Sequence, residues 1–169
     1  LVSAVDAYDA SLTRSAAHII GATVAIGGAA VGNYALFAGG TVYSQINEDN
    51  VTSDVLAYDP SLTFTTAPWL SVARANVKGA SAGNYALFAG GRADGFCTTV
   101  DAYNASLTRT TATALSSTKN NSAAATVGNH AIFVGNTASA DIYDASLTKT
   151  SAAILSTART GLAATSVGD

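Results

Sequence analysis

The phrase GNYALFAGG occurs at residues 32–40 and recurs unchanged at residues 83–91, and a diverged copy, GNHAIFVGN, occupies residues 128–136. Each copy is a short run of aromatic and branched residues bounded by Gly and Asn, which is the pattern of a β-strand. Gly and Asn before the run tolerate positive φ at low cost, so they favour a tight hairpin turn. The phrase therefore predicts a strand that enters from a hairpin.

A second phrase, centred on a Tyr, defines the length of the repeat. It reads VDAYDASLTR from Val5, VLAYDPSLTF from Val55, VDAYNASLTR from Val100 and ADIYDASLTK from Ala140. The Tyr precedes the next turn Gly by 24 residues in the first copy and by 25 in the other three. By contrast, the stretch from the end of the nine-residue phrase to the next Tyr shrinks from 18 to 12 to 7 residues. Apart from that single residue, the length variation therefore falls in one connection.

Tandem units of 40 to 51 residues are typical of solenoids, propellers and arrays. We predict four antiparallel strands per unit: one in the Ala-rich slot before Gly-Asn, one in ALFAGG, one in VDAY and one after SLT. Such a sheet cannot bury both faces alone, and radial stacking into propeller blades solves this problem. We treat the chain as a single segment, 1–169, with repeat frames at about 5–40, 55–91, 100–136 and 140–169.

These features resemble the kelch-repeat family of β-propellers. The resemblance rests on the double Gly of LFAGG, on the Tyr-Asp pairs and on the Arg that closes LSVAR and LSTAR, and it covers essentially the whole chain. The chain departs from the family where a Trp usually follows the Tyr, because that position holds Arg14, Phe64, Arg109 and Lys149. The resemblance implies an all-β, kelch-like propeller with about three and a half blades in this chain. Further sequence or a second copy would complete the ring.

Composition narrows the class of partner. Charged residues make up 11% of the chain, and the Ser and Thr residues, 38 in all, are twice as numerous as the charged ones. The net charge is −3 without a basic cluster, which argues against nucleic acid as the main partner. No apolar run approaches the roughly 20 residues needed for a membrane-spanning helix. We therefore expect a surface rich in hydroxyls, a partner other than nucleic acid, and no membrane-spanning segment.

Residues capable of catalysis or metal binding are few. His18, His130 and the single Cys97 do not stand at metal-ligand spacing, so we predict no cofactor, no metal and no enzyme activity. Galactose oxidase, a kelch propeller, holds copper with Tyr and His ligands. A galactose-oxidase-like enzyme is therefore the least favoured alternative, because nothing in this sequence marks which Tyr would serve.

Charged residues recur once per repeat at three positions. An Asp follows the Tyr in three copies and favours a turn, because its side chain bonds nearby backbone amides. Another Asp stands two residues before the Tyr in three copies, with Leu56 in the remaining one. A cation closes the LSVAR-like element, as Arg74, Lys119 and Arg159, with Thr23 in the first copy. These cations would either bond carbonyls between adjacent blades, the favoured interpretation, or line an anionic or hydroxyl-binding face.

Variable loops on a rigid scaffold are where binding residues concentrate. The longest, 41–54 and 92–99, contain the candidate ligand-binding residues Tyr43, Gln45, Glu48, Asp49, Arg92, Asp94 and Phe96. The alternative interpretation, equally favoured, is that such loops vary in length only because nothing constrains them. Insertions in the same connection of successive blades emerge on the same face, so we expect the two loops to lie side by side.

We therefore predict a non-enzymatic binding or adhesion module that presents its loops to a protein or a glycan. A hydroxyl-rich, repetitive chain suits an extracellular, cell-surface or virion-surface location. A structural repeat subunit of a filament or virion, self-associating through open strand edges, is the alternative. For packing, we expect Phe37, Phe88 and Phe133 to be buried between blades.

Overall fold

The computed structural model describes residues 5–17, 23–24, 26–42, 50–119, 122–151 and 155–167. These residues form β-strands and connecting segments, which confirms the all-β prediction. Within these ranges no helix is long and apolar enough to cross a membrane.

Short runs of aromatic, branched and small residues, interrupted by Gly, Asn and Asp, form short strands. The strands are β1 (Val5–Tyr8), β2 (Arg14–Ala17), β3 (Thr23–Val24), β4 (Gly27–Val31), β5 (Tyr34–Ala38), β6 (Thr41–Val42), β7 (Val55–Tyr58), β8 (Phe64–Ala67), β9 (Lys78–Ala82), β10 (Tyr85–Ala89), β11 (Val100–Asn104), β12 (Arg109–Ala112), β13 (Ala123–Val127), β14 (His130–Gly135), β15 (Thr137–Tyr143) and β16 (Lys149–Ser151).

Twelve of these strands form three antiparallel sheets of four strands each. Sheet A has the order β4-β5-β7-β8, sheet B has β9-β10-β11-β12, and sheet C has β13-β14-β15-β16. Each follows the predicted order of Ala-rich slot, ALFAGG, VDAY and the strand after SLT. The hairpin β1-β2 and the ribbon β3-β6 are two-stranded. Each four-stranded sheet thus joins the second half of one repeat frame to the first half of the next.

The sheets stack in chain order through apolar faces. One face of sheet A, including Leu36, packs with Phe88 of sheet B. The other face of sheet B, including Leu87, packs with Phe133 of sheet C. Over the part of the chain that the structure describes, the three sheets form an open series rather than a closed ring.

The expectation that all three Phe residues are buried holds for two of them. Phe88 and Phe133 are 0% and 1% exposed. Phe37 is only half-buried, so the expectation was wrong there. Successive side chains on a strand point to opposite faces, and Leu36 occupies the face of sheet A that meets sheet B. Phe37 therefore lies on the outer face of the series, where its ring packs edge-on against Tyr58.

Small residues are required where the first strands of the sheets meet. Strand β9 lies against both β4 and β13. A Cβ at Gly79 would overlap the carbonyl oxygen of Gly28. The Ser81 hydroxyl donates to the Ala30 carbonyl at 2.6 Å, and the Ser81 amide donates to the Thr126 hydroxyl at 2.8 Å. Backbones that approach this closely leave no room for larger side chains, which explains the Ala-rich slot.

The double Gly of the nine-residue phrase has a similar cause. Gly39 and Gly91 have φ of 67° and 100°, a region that residues with a Cβ rarely adopt. A Cβ at Gly39 would overlap the carbonyl of Arg74, and one at Gly91 would lie 2.6 Å from the carbonyl of Ala75. Residues 68–77, which connect sheet A to sheet B, pass over Gly39 and Gly91 at this point. We call such a segment between two sheets, or after the last sheet, a linker. The phrase is therefore repeated because each linker needs the same open backbone surface.

Candidate functional site

The variable loops and the linkers between sheets share one end of the stack. The Arg74 amide donates to the Thr52 carbonyl at 3.2 Å. The next residue, Ala75, exchanges two backbone hydrogen bonds with Arg92, at 2.8 and 2.9 Å. Adjacent linker residues thus hold one loop each, so the described ends of the two loops lie side by side. We call the exposed surface of residues 50–54, 68–76 and 92–99 the loop face.

The loop face contains three of the seven candidate ligand-binding residues. Arg92, Asp94 and Phe96 are exposed, and half of the Phe96 surface is accessible. The other four candidates lie outside the described residues: Tyr43, Gln45, Glu48 and Asp49.

The loop 92–99 is held in shape by hydrogen bonds between its own backbone groups. Arg92 forms an antiparallel bridge with Phe96, and the Ala93 amide donates to the Gly95 carbonyl at 2.9 Å. The Cys97 amide donates to the Gly91 carbonyl at 2.9 Å. The cation, carboxylate and aromatic ring of this loop therefore project from an ordered turn.

The most exposed aromatic side chain of the loop face is Trp69, which the sequence-based prediction did not include. It is 69% exposed, although both of its neighbours are held in place. The Pro68 carbonyl accepts the Tyr103 hydroxyl at 2.8 Å. Leu70 is 4% exposed, and its amide donates to the Ser53 carbonyl at 2.8 Å.

One signal in the sequence could have revealed this residue. Trp69 is the single Trp of the chain, and the same position in the other copies holds His18, Ala114 and Ile154. Because side chains as different as these occupy one position of the repeat, the scaffold does not require a large aromatic residue there. Its presence therefore indicates a local role.

Arg74 lies beneath the loop face and is fully buried. Its Nε donates to the Gly90 carbonyl at 2.8 Å and its Nη2 to the Phe88 carbonyl at 3.1 Å. The same Nη2 lies 2.9 Å from Oδ2 of Asp101, whose side chain is also fully buried. Asp101 further accepts from Arg109 at 3.0 Å. Arg74 therefore fastens the linker after sheet A to sheet B and is not accessible to a ligand.

Lys119 occupies the same place between sheets B and C. It is 1% exposed, and its Nζ donates to the Ser139 carbonyl at 3.0 Å. The Nζ lies 3.4 Å from Oδ2 of Asp141, while Lys149 lies 3.6 Å from Oδ1. We call each such set, a linker cation with the Asp and the fourth-strand cation of the following sheet, a clasp.

Both clasps also include a linker Ser. Ser71 donates its amide and its hydroxyl to Asp101, the hydroxyl at 3.0 Å. Ser116 donates in the same way to Asp141, the hydroxyl at 2.7 Å. Each buried carboxylate thus has a linker cation beside it and receives two neutral donors from the linker, which offsets part of its loss of water. Among the described residues, Oδ2 of Asp141 accepts no hydrogen bond and is stabilised only by the charge of Lys119.

Arg159, the third linker cation, is exposed. Its hydrogen bonds are local, from Nε to the Thr157 carbonyl at 3.4 Å and from Nη2 to the Ser156 hydroxyl at 3.1 Å. The three recurrent cations are therefore not equivalent: two are structural and buried, and one faces solvent.

The Asp that follows each Tyr forms a turn, as its position in the repeat predicted. Oδ1 of Asp59 accepts from the Ser61 hydroxyl at 2.7 Å and from the amides of Ser61 and Thr63. Asp9 and Asp144 make the same set. The Ser hydroxyl is the largest of the influences that lower the pKa of each carboxyl below its usual value. These turns lie at the end of the sheets opposite the loop face.

Of the residues considered for metal binding, the two that the structure describes belong to different parts of the fold. His130 is exposed at the start of β14, Cys97 is half-buried in the loop face, and His18 lies outside the described residues. No cluster of three or more His, Cys, Asp or Glu residues suited to a metal ion is found in the described ranges.

A cavity of about 320 Å³ lies among β4, β9, β13 and the segment containing Thr165 and Ser166. Its lining consists of Gly, Ala, Ser and Thr, so it presents no charged group. The loop face, not this cavity, holds the chemically varied side chains.

No family model matches the chain, and no curated protein matches it. A proposal for its function therefore depends on the geometry of the loop face.

Proposed function

We propose that the chain is part of a kelch-like β-propeller whose loop face binds a protein or a glycan. Three observations support the propeller: sheets A, B and C stack face to face in chain order, their first strands lie together, and those strands border a common cavity. Radial stacking in a ring would bury both faces of every sheet. Further blades from a longer chain or from a second copy would complete the ring.

The observation that carries the binding proposal is the exposure of Trp69 on a rigid base. An aromatic ring gains free energy when a partner covers it, and Trp is enriched among the residues that dominate binding energy. Its backbone is held on both sides, so little conformational entropy is lost when a partner binds. Phe96 and Arg92 add an aromatic ring and a cation on the same face.

The low charge of the chain favours a particular kind of partner. With 11% charged residues, the surface offers packing and hydrogen bonding more than ion pairing. Recognition of a protein or glycan at an extracellular, cell-surface or virion-surface site fits this chemistry. The fold supplies a scaffold, and the loops and linkers supply the specificity.

Trp69 also provides the test. Because it is the single Trp, its fluorescence reports directly on the loop face of the intact protein. The labelled full chain would be screened on a glycan array and against a displayed peptide library, and hits would be titrated while Trp emission is followed. We expect a blue shift of the wild-type emission on binding. Isothermal titration calorimetry, which needs no Trp, should show a loss of affinity of at least about tenfold in Trp69→Ala and in Phe96→Ala.

The matched control is Val127→Ala. Val127 is also exposed, at 48%, but it precedes the β13–β14 turn at the opposite end of the sheets. This variant should bind as the wild type does. If Trp69→Ala and Phe96→Ala kept full affinity for every hit while Val127→Ala lost it, the binding face would be the opposite one.

A structural repeat subunit is a second candidate function, and one observation favours it. The hairpin β1-β2 leaves Tyr8 63% exposed, although the equivalent Tyr residues in the sheets are buried. Exposed apolar side chains and an open strand edge are features of assembling proteins. Electron microscopy of the concentrated protein would separate the two candidates, because a filament subunit forms regular polymers without any ligand.

A further inference from the structure

The clasp positions change together from one repeat to the next. Arg74 pairs with Asp101 of the following sheet, and Lys119 pairs with Asp141. In the sheet where the Asp is replaced by Leu56, the fourth strand carries Phe64 instead of a cation, and the preceding linker carries Thr23. All members of a clasp are thus charged together or uncharged together. This is expected if an unpaired buried charge is strongly destabilising.

Two incomplete clasps remain after these pairings. Arg159 and Ser156 have the identities and spacing of the linker half, as in Arg74 with Ser71. Asp6 and Arg14 have those of the sheet half, and they form an ion pair with side chains 44% and 59% exposed. Each half therefore lacks what the other half supplies.

Apolar groups around the two halves show the same complementarity. Tyr103 and Tyr143 are 0% exposed, and their hydroxyls donate to carbonyls of the preceding linker at 2.8 and 2.6 Å. Tyr8, in the same place beside Asp6, is 63% exposed. On the other side, Leu155 of the last linker is only half-buried, whereas its equivalents between the sheets are 4% and 5% exposed, namely Leu70 and Leu115.

The Gly-Asn turns, at the end of the sheets opposite the loop face, show the same complementarity between sheet C and the hairpin β1-β2. A Cβ at Gly32 would lie 2.9 Å from Cβ of Ala105 in the next sheet, and one at Gly83 would overlap Ala145. At Gly128 of sheet C, nothing in the described structure lies within 4 Å of such an atom. The hairpin β1-β2 carries an Ala, at position 10, in the place of these two Ala residues, so it has the group that would fill this space.

We propose that this protein associates head to tail: the β1-β2 hairpin of one copy docks on the last linker and the exposed face of sheet C of a second copy. In this joint Arg159 and Ser156 of one copy receive Asp6 of the other and complete a clasp like the two within the chain. The occupant is a second copy because its hairpin supplies the Asp, the cation and the Tyr that the two clasps within the chain take from the following sheet. The described hydrogen bonds of the Arg159 side chain reach only Thr157 and Ser156.

The joint uses two different surfaces, so it is heterologous and leads to closed rings or open chains of copies. It involves neither Trp69 nor the variable loops, and it holds whether or not the loop face binds a ligand. Completion of the clasp would transfer Arg159, Asp6 and Tyr8 from solvent to a buried interface.

The test exchanges the charges between two variants of the full chain. In Arg159→Glu the joint brings two carboxylates together, and in Asp6→Arg it brings two cations together. We expect the wild type to associate with rising concentration in sedimentation velocity and multi-angle light scattering. Each variant alone should associate at least about thirtyfold more weakly. An equimolar mixture should recover association, because the carboxylate introduced at position 159 of one variant then meets the cation introduced at position 6 of the other.

Controls separate this joint from general effects of charge. Asp54→Arg makes the same charge change as Asp6→Arg at an exposed site on the loop face, and it should associate as the wild type does. Circular dichroism and thermal unfolding would confirm that each variant is folded. Arg159→Gln and Asp6→Asn serve as milder replacements if a reversal prevents folding.

Either of two results would overturn the proposal. The first is a wild type that stays monomeric at all concentrations. The second is a mixture of the two variants that fails to associate while the doubly exchanged chain, with both substitutions, regains wild-type stability as a monomer. That second result would mean that the hairpin of each chain completes its own clasp.

Discussion

The hairpins β1-β2 and β11-β12 have nearly the same sequence but different environments. VDAYDASLTR and VDAYNASLTR differ at one residue, Asp9 against Asn104. Both pair in the same register, and the Leu of each turn has positive φ, 64° in the first hairpin and 57° in the second. Yet Tyr8 is 63% exposed, whereas Tyr103 is fully buried. Local sequence determines the hairpin, and the neighbouring sheet determines what the hairpin contributes to stability.

The largest expected difference between the two hairpins is in the free energy of unfolding that is lost when the Asp two residues before the Tyr is replaced. Asp101→Ala leaves Arg74 buried without its carboxylate, which typically costs about 3 to 5 kcal/mol. Asp6→Ala removes an exposed ion pair and should cost at most about 1 kcal/mol. Urea unfolding at low protein concentration, where chains are monomeric, measures both. Equal shifts of the two midpoints would contradict the difference in burial on which the comparison is based.

A smaller difference is expected for the Tyr hydroxyls. Tyr103→Phe deletes a hydrogen bond to the Pro68 carbonyl and should lower the free energy of unfolding by about 1 to 2 kcal/mol. Tyr8→Phe should change it by less than about 0.5 kcal/mol, since Tyr8 is mostly solvated. The two variants are measured in the same thermal or urea unfolding series. A cost at Tyr8 as large as that at Tyr103 would show that the hairpin is packed within the monomer.

The smallest effect comes from the turn position at which the two hairpins differ, which Asp9 and Asn104 occupy there and Asp144 occupies between β15 and β16. The turn Asp residues have a lowered pKa in the folded chain, so their stabilisation is present above the unfolded pKa and is lost as pH falls through the folded value. Asp144→Asn should therefore lose less stability than the wild type between about pH 6 and about pH 3 in urea unfolding measured across this range. Asn104→Asp should lose more stability than the wild type over the same pH range.

The control for this pH effect is the hydroxyl that causes most of it. Ser146→Ala removes the hydrogen bond to Asp144 Oδ1, so the acid-dependent loss of stability should shrink while the backbone turn remains. If acid unfolding were identical in all of these variants, the turn carboxylates would not be linked to folding.

The strands, the turns and their order within each sheet could be predicted from the sequence alone. Short runs of aromatic and branched residues, Gly-Asn before ALFAGG and Asp after Tyr act over a few residues, so the nine-residue and ten-residue phrases carry the information needed. The Ala-rich slot likewise indicated a crowded strand, because small side chains recur at the same offset. The repetition also located the connections that vary in length.

Other features depend on contacts between residues far apart in the sequence. The sequence left open whether Arg74 bonds carbonyls or faces a ligand, and its burial follows from Asp101, 27 residues later, lying in the next sheet. Phe37 and Phe88 occupy the same position of identical phrases. Phe88 is buried because it packs against sheet A, whereas Phe37 lies on the outer face of sheet A and is half-buried. Trp69 stands between two residues that are held by Tyr103 of β11 and by Ser53 of the loop 41–54, both distant from it in the sequence.

What the sequence determined by itself was therefore the repeating unit: four short antiparallel strands, hairpin turns and one connection of variable length. The tertiary structure decided which copies of each residue are buried, which cations are paired and which aromatic ring remains accessible. The physical reason is the range of the interactions. Backbone dihedral preferences and turn hydrogen bonds operate within a few residues, whereas burial and desolvation depend on which surface the rest of the chain places opposite.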